Sequence, residues 1–528
     1  MRYLLFFFAS AFLFACQSSD QAENSHLGTV EFSFTANERA QPLIKEGWLL
    51  LHSFEYEDAR TVFRQTQEAD PLCPMAYWGE AMSHHYALWE REDYEDGVTA
   101  LAKWEEFSAG KEISMSAIEQ GLLQAAAVLY GEGSRIERNQ AYADAMEKLY
   151  NAYPKSHEVG SIYALSLLGS VPEGRDFERY GQAASIAQSI LKENPQHPGA
   201  LHYLIHAYDD PEHATMALDA AFAYAKVAPD AAHALHMPSH IFVARGMWDN
   251  VVNSNIASYG ASVDRKERLK MNNNARSYHA LAWLMYGLLQ QSRIQEVDAI
   301  MEDMIKYATE TPSVPARSYL TGMIATYFVY TENQQSPFLD VAANTEDLSV
   351  SLQALSLFTK GLRSYSAKEA TGIESAIQGI KTATARAKNS LVEGNSAVCG
   401  APSAYSPPTQ IDIEIATVMQ LELQGLLATL NGETAKAEAF LQQAASLEAS
   451  TDYEYGPPTI VKPAHELYAD WLLAQARPEE ALAEYELAEL RTPNRLLIHE
   501  GRELAFRLSG KVAEADSVRD IILHMQQP

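Results

Sequence analysis

Residues 195–229 read PQHPGALHYLIHAYDDPEHATMALDAAFAYAKVAP. The segment opens and closes on a proline, 34 residues apart. Each proline follows an amphipathic helical stretch and stops it, because proline has no amide hydrogen to donate and its ring crowds the preceding turn. The same punctuation recurs at Asp70-Pro71 and at Pro493. Counting back from Pro71 gives Gly47, Ala59 and Phe63; from Pro493, Ala469, Leu472, Ala481 and Tyr485. The stretch that begins at Val418 gives Leu421, Gly425, Ala437, Leu441 and Ala444, with Asn431-Gly432 as the turn. Small residues at these places let two helices approach closely, and the large ones fill the space between them.

This small-and-bulky pattern resembles the tetratricopeptide repeat. The resemblance covers most of residues 38–330 and 416–528. It implies an all-α fold, a curved solenoid of antiparallel helix pairs whose concave groove is lined by the first helix of each pair. Gly246 and Gly432 fall at turns within pairs. Residues 336–390 are helical by composition but in poorer register. The Gly/Ser/Pro-rich stretch at 393–415 divides an N-terminal array (37–392) from a C-terminal one (416–528), and a second loop spans 453–463. The stretches His197-Pro-Gly-Ala-Leu-His202-Tyr-Leu-Ile-His206 and His236-Met-Pro-Ser-His240-Ile-Phe resemble a group of bacterial tetratricopeptide proteins. That likeness supports the fold and carries no activity with it.

Bulk composition narrows the function. The 528 residues are 47% hydrophobic and 21% charged, with a net charge of −29. So acidic a surface repels phosphates, and no basic stripe offsets it, which excludes a nucleic-acid partner. Met1-Arg2 and the apolar run Tyr3–Ala15 have the shape of an export signal, too short to span a bilayer as a stable helix. Leu13-Phe14-Ala15-Cys16 resembles a bacterial lipobox, which implies lipidation at Cys16 and a polar tether over 16–36. The expected placement is the cell envelope, held by a lipid anchor only and facing the periplasm or the exterior. Cys73 and Cys399 are the other cysteines; their spacing fits no disulfide framework or zinc finger, and whether they pair is left open.

Seven of the sixteen histidines lie between His197 and His240. His202 and His206, and likewise His236 and His240, are four residues apart, so each pair shares one helix face. The pairs are separated by one repeat, which puts His202 and His236 at the fifth repeat position and His206 and His240 at the ninth. His233 and His279 both fall at the second. In the repeat family these positions face the groove. Asp209 can hold an imidazole tautomer or bind directly. Trp78 and His85, the latter read as continuing the helix that opens at Cys73, fall on the groove side as wall or extension of the site. Pro238 either starts a helix or kinks one, and so threatens the alignment of His236 with His202.

Neutral imidazole is a ligand for zinc, copper and iron. Three readings stay open for His202, His206, His236 and His240: a transition-metal site, a pocket for an anionic or peptide ligand, or packing of the helix stack. No Walker loop, GxSxG elbow, HExxH or CxxCH sequence is present, and no general base or nucleophile can be named. The leading expectation is an exported repeat scaffold that binds a peptide, protein or ligand in its groove without catalysis. The alternative is a metal-binding protein or metal-dependent enzyme. Labelled palmitate should enter the wild type and not Cys16→Ala; equal labelling of the two would remove the lipid anchor.

Overall fold

The computed structural model describes residues 26–89, 91–172, 174–389, 408–452 and 456–527. The chain is an all-α solenoid of tetratricopeptide-like antiparallel helix pairs. The prolines stop helices where the sequence puts them: Tyr56–Ala69 ends before Pro71, Phe177–Glu193 before Pro195, Leu218–Val227 before Pro229 and Pro478–Arg491 before Pro493. Gly246 and Gly432 turn the chain within pairs at φ 62 and 74, a left-handed conformation that costs glycine little.

The packing explains the small-and-bulky register. Phe63 is fully buried between two helices that each present a glycine to it. A Cβ at Gly47 would lie 2.9 Å from the Phe63 ring, and one at Gly79 only 2.3 Å away. Leu441 fills the space beside Gly425 in the same way, 2.8 Å from where a Cβ would stand.

The array also closes on itself. The first helix, Gln41–His52, packs against Pro198–Ala207. Trp48 Nε1 donates to the buried Glu158 carboxylate at 2.5 Å. Arg265 binds Asp58 at 2.6 Å across some two hundred residues of sequence. The inner face of the middle repeats is therefore covered by the start of the chain.

Three segments depart from the sequence reading. Residues 28–34, expected in a tether, lie along the body: Thr29 N donates to Gln196 O at 2.9 Å, and Phe32 stacks on Trp48 at 5.5 Å. The loop expected to run to 415 stops earlier, because Thr409 and Asp412 form a reciprocal cap that starts the helix Gln410–Leu430. The helices on either side share one core, since Phe358 and Ile380 belong to the same apolar cluster as Met419 and Leu441. His85 is not on a helix. The helix Pro74–Met82 ends when Arg60 takes the Ser83 carbonyl at 2.7 Å, and His85–Tyr86 then pairs with Arg91–Glu92 in a short hairpin. Cys16, Cys399 and residues 1–25 lie outside the described residues.

Candidate metal centre

His202 and His206 come from the helix Pro198–Ala207, which Pro198 starts and His197 caps by accepting the Ala200 amide at 3.2 Å. His233 and His236 lie on Ala232–His236, and His240 on Pro238–Ala244. Met237 between them keeps helical angles, φ −50 and ψ −38. Pro238 thus opens the second helix without breaking the path, and the feared misalignment does not arise. His236 and His240 have their Nε2 atoms 3.1 Å apart, the same separation as His202 and His206. His279 comes from Tyr278–Gln290, capped by Ser277.

The six rings do not form one set of four with two outliers. They form two groups of three: His202, His206 and His233; and His236, His240 and His279. Within each group, one ligand nitrogen per residue lies within 4.8 Å of the others. His202 Nε2 is 3.1 Å from both His206 Nε2 and His233 Nε2. The groups touch, with the rings of His206 and His240 6.2 Å apart and those of His233 and His236 6.4 Å apart. Each group takes the fifth and ninth positions of one repeat and the second position of the next. Repeat register, rather than a strict 34-residue spacing, therefore writes the same three-histidine arrangement twice, since the long helix Trp248–Arg268 lengthens the repeat before His279.

The outer nitrogens fix the tautomers. His240 Nδ1 donates to Asp209 Oδ2 at 2.6 Å. His236 Nδ1 donates to Asn255 Oδ1 at 2.7 Å, and Asn255 is oriented by its own amide, which donates to Val251 O at 2.8 Å. His202 Nδ1 donates to the His52 carbonyl at 2.8 Å. An imidazole that donates from Nδ1 presents a lone pair at Nε2 when neutral. With both rings neutral, His236 and His240 would aim two lone pairs at each other across 3.1 Å, a repulsive contact that a proton or a metal ion between them relieves. Two nitrogens bound at ~2.0–2.1 Å to one ion sit about 2.9–3.4 Å apart for angles between square and tetrahedral. His279 Nδ1 faces Tyr319 OH at 3.1 Å, while its buried Nε2 has no hydrogen-bond partner among the described residues.

Burial completes the picture. His202, His206, His236 and His240 are at most 3% exposed. Phe54 covers the first group, its ring 4.3 Å from His202 and 5.4 Å from His233. It does so from φ 56, a strained conformation for a residue with a Cβ. Trp283 covers the second group at 4.5 Å from His240 and 4.9 Å from His236. Desolvation lowers the pKa of His202 and of His279 to about 3 and holds His206, His233 and His236 well below the usual imidazole value, so these rings are neutral. Neutral is the form that binds metal.

Two further clusters behave differently. Glu158 takes His197 at 3.1 Å and His52 at 2.8 Å, and His52 Nδ1 meets Tyr203 OH at 2.9 Å. Since His197 Nδ1 accepts an amide, its Nε2 carries the proton given to Glu158, so this network is satisfied by hydrogen bonds alone. It anchors His52, whose carbonyl orients His202. His84 stands 3.7 Å from Asp93 at the hairpin. Trp78 stacks on Trp48 at 4.6 Å and, with His85, lines a small internal cavity of ≈ 30 Å³ rather than the six-histidine cluster. Asp209 orients His240, from the next repeat, not the nearby His206. Asn255, Tyr319, Phe54 and the His52 carbonyl were not legible as partners, because no spacing rule links them to the histidines.

A cleft of ≈ 190 Å³ opens beside the second group, with His279 and Trp283 in its wall.

No family model matches the sequence, and no curated relative does. Solved structures similar to the chain include the human IFIT1 dimer with m7Gppp-AAAA, at 11% identity and TM-score 0.37, covering 91% of this chain and 95% of that one. The APC/C hetero-tetramer Cut9-Hcn1 is 11% identical with TM-score 0.36, covering 90% of this chain and 78% of that one. Yeast Tom70 is 9% identical with TM-score 0.32, covering 92% and 89%. These overlaps are long and loose, and they assign no chemistry to this chain.

The neutral histidines make stability fall with acid. Their folded pKa lies below the unfolded value near 6.5, so the unfolded chain binds more protons between that value and about 3. Going from pH 7 to pH 5 should cost the metal-stripped protein about 2 kcal/mol for each of His202 and His279. Urea unfolding at the two pH values measures this; equal stability at both would contradict burial of neutral rings.

Proposed function

We propose that the protein is a repeat-built metalloprotein that holds two transition-metal ions in adjacent three-histidine centres and presents the second to a small-molecule cleft. The single observation that carries this reading is the 3.1 Å contact between His236 Nε2 and His240 Nε2 while both Nδ1 atoms donate to fixed acceptors. Outer-shell acceptors that set the tautomer of ligating imidazoles are a regular companion of metal sites. Three neutral imidazoles without thiolate suit zinc, copper or iron, and three protein ligands leave a coordination position open. A cleft beside such a position is where a ligand would meet the metal.

The peptide-scaffold reading shares the repeat architecture but receives less support at this face. His202, His206, His236 and His240 lie buried beneath Phe54 and Trp283, out of reach of an extended peptide. The apolar leader and Cys16 support an exported, lipid-anchored placement, where metals are met without cytosolic buffering.

Elemental analysis of untagged protein loaded separately with zinc, copper and iron tests the proposal. About two ions per chain are expected for the preferred metal. The pair His202→Ala/His206→Ala should lose one ion and His236→Ala/His240→Ala the other, with helicity retained. Failure of the wild type to retain any of the three metals through gel filtration would remove the metal reading.

A further inference from the structure

The cleft beside the second centre has a wall composition that selects its occupant. Trp283, Tyr286 and Tyr319 supply flat aromatic surface, and among the described lining residues there is no carboxylate, ammonium or guanidinium. In the metal-free protein a charged ligand would enter without a counter-charge from the wall, which is unfavourable. The two serines in the wall have their hydrogens committed elsewhere. Ser318 Oγ donates to Val314 O at 2.9 Å and Ser351 Oγ to Asp412 Oδ1 at 2.6 Å. What remains on Ser318 is acceptor capacity, Ser351 also meets Ser349 Oγ at 2.8 Å, and the hydroxyls of Thr326 and Thr459 lie in the same wall, so a ligand O–H or N–H finds hydrogen-bonding partners there.

Size and backbone point the same way. An apolar cavity of about 150 Å³ accepts benzene. The present ≈ 190 Å³ leaves room for one aromatic ring with one or two small substituents. Gly322 lies in the middle of the helix Val314–Thr331, where glycine weakens a helix. A Cβ there would meet nothing within 4 Å. No packing contact therefore requires glycine at this position. Its lack of a side chain leaves the cleft wide at a helix-weakening position. The loop at Gly456 closes the opposite side: a Cβ at Gly456 would lie 2.8 Å from the Trp283 ring, and Pro457 and Pro458 continue that wall.

We infer that this cleft binds a small, uncharged, monocyclic aromatic compound bearing a hydroxyl or amine hydrogen, a phenol or aniline in chemical class, with its ring against Trp283 and Tyr319. That the bound ring is what the second metal centre acts on rests on the metal-centre reading; occupancy of the cleft does not.

The test uses phenol as the probe and benzoate as the charged comparison, titrated by calorimetry into the full-length protein with and without cobalt(II). Phenol should bind the metal-free protein at least tenfold more tightly than benzoate. Gly322→Phe, which fills the open space, should weaken phenol at least tenfold. Gly322→Ala, which adds a single methyl to a helix that favours alanine, should weaken it less and guards against loss of fold in the larger variant. In the cobalt-loaded protein, phenol should shift the visible absorption bands of the metal. No phenol binding to a folded wild type, or equal binding in wild type and Gly322→Phe, overturns the cleft assignment even if cobalt is taken up. Binding to the metal-free protein with cobalt bands unmoved by phenol overturns the link between cleft and centre. Absence of cobalt uptake, by contrast, counts against the metal reading and leaves the cleft result standing.

Discussion

Everything unusual in this chain depends on one contact: His236 Nε2 and His240 Nε2 facing each other at 3.1 Å with both outer nitrogens already donating. In water such rings would turn away or take a proton. Here burial opposes protonation of His236, and Asp209 and Asn255 hold the two rings against rotation. Two buried acceptor nitrogens held face to face are costly unless a proton or a metal ion lies between them. In the proposed metal-bound protein a cation shared by the three rings of the second group would resolve that conflict, and the first group offers a matching set of three nitrogens.

The scaffold's part is to generate the arrangement twice and then seal it. One repeat supplies two histidines a helical turn apart, and the next supplies the third. The rule works once with His233 and again with His279. The closure of the solenoid brings Phe54 from the first helix pair over one group, while Trp283 covers the other. The Glu158 network lies behind the first helix: Glu158 also binds Trp48 and His197, and His52 is fixed by hydrogen bonds to Glu158 and Tyr203. Loss of that network would loosen the carbonyl that orients His202 without touching a ligand.

Much of this was readable from residue spacing. The proline and glycine punctuation, the Phe63 wedge between Gly47 and its neighbour, and the equivalence of His202 with His236 all follow from a 34-residue ruler. The ruler gives an angle around a helix pair. It does not give the offset between neighbouring pairs, so the four histidines at the fifth and ninth positions looked like one site, whereas the third histidine of each group comes from across the repeat boundary. Nor can a period show which distant segment returns to the inner face, which is why Phe54, Tyr319 and Asn255 were invisible. His85 was misplaced for a local reason: a helix that ends on an arginine-bound carbonyl carries no terminating proline or glycine to announce it. Pro238 was read as a threat because its missing amide usually breaks a helix. In this chain it begins one, and the lost hydrogen bond falls where a helix has none to lose.

The proposed centres would place a shell of imidazole nitrogens around each ion. X-ray absorption of the metal-loaded wild-type protein tests it most directly. The account predicts a first shell dominated by nitrogen at ~2.0–2.1 Å, with outer scattering from about three imidazole rings per ion. A shell dominated by oxygen or sulfur, or scattering from a single ring, would contradict it.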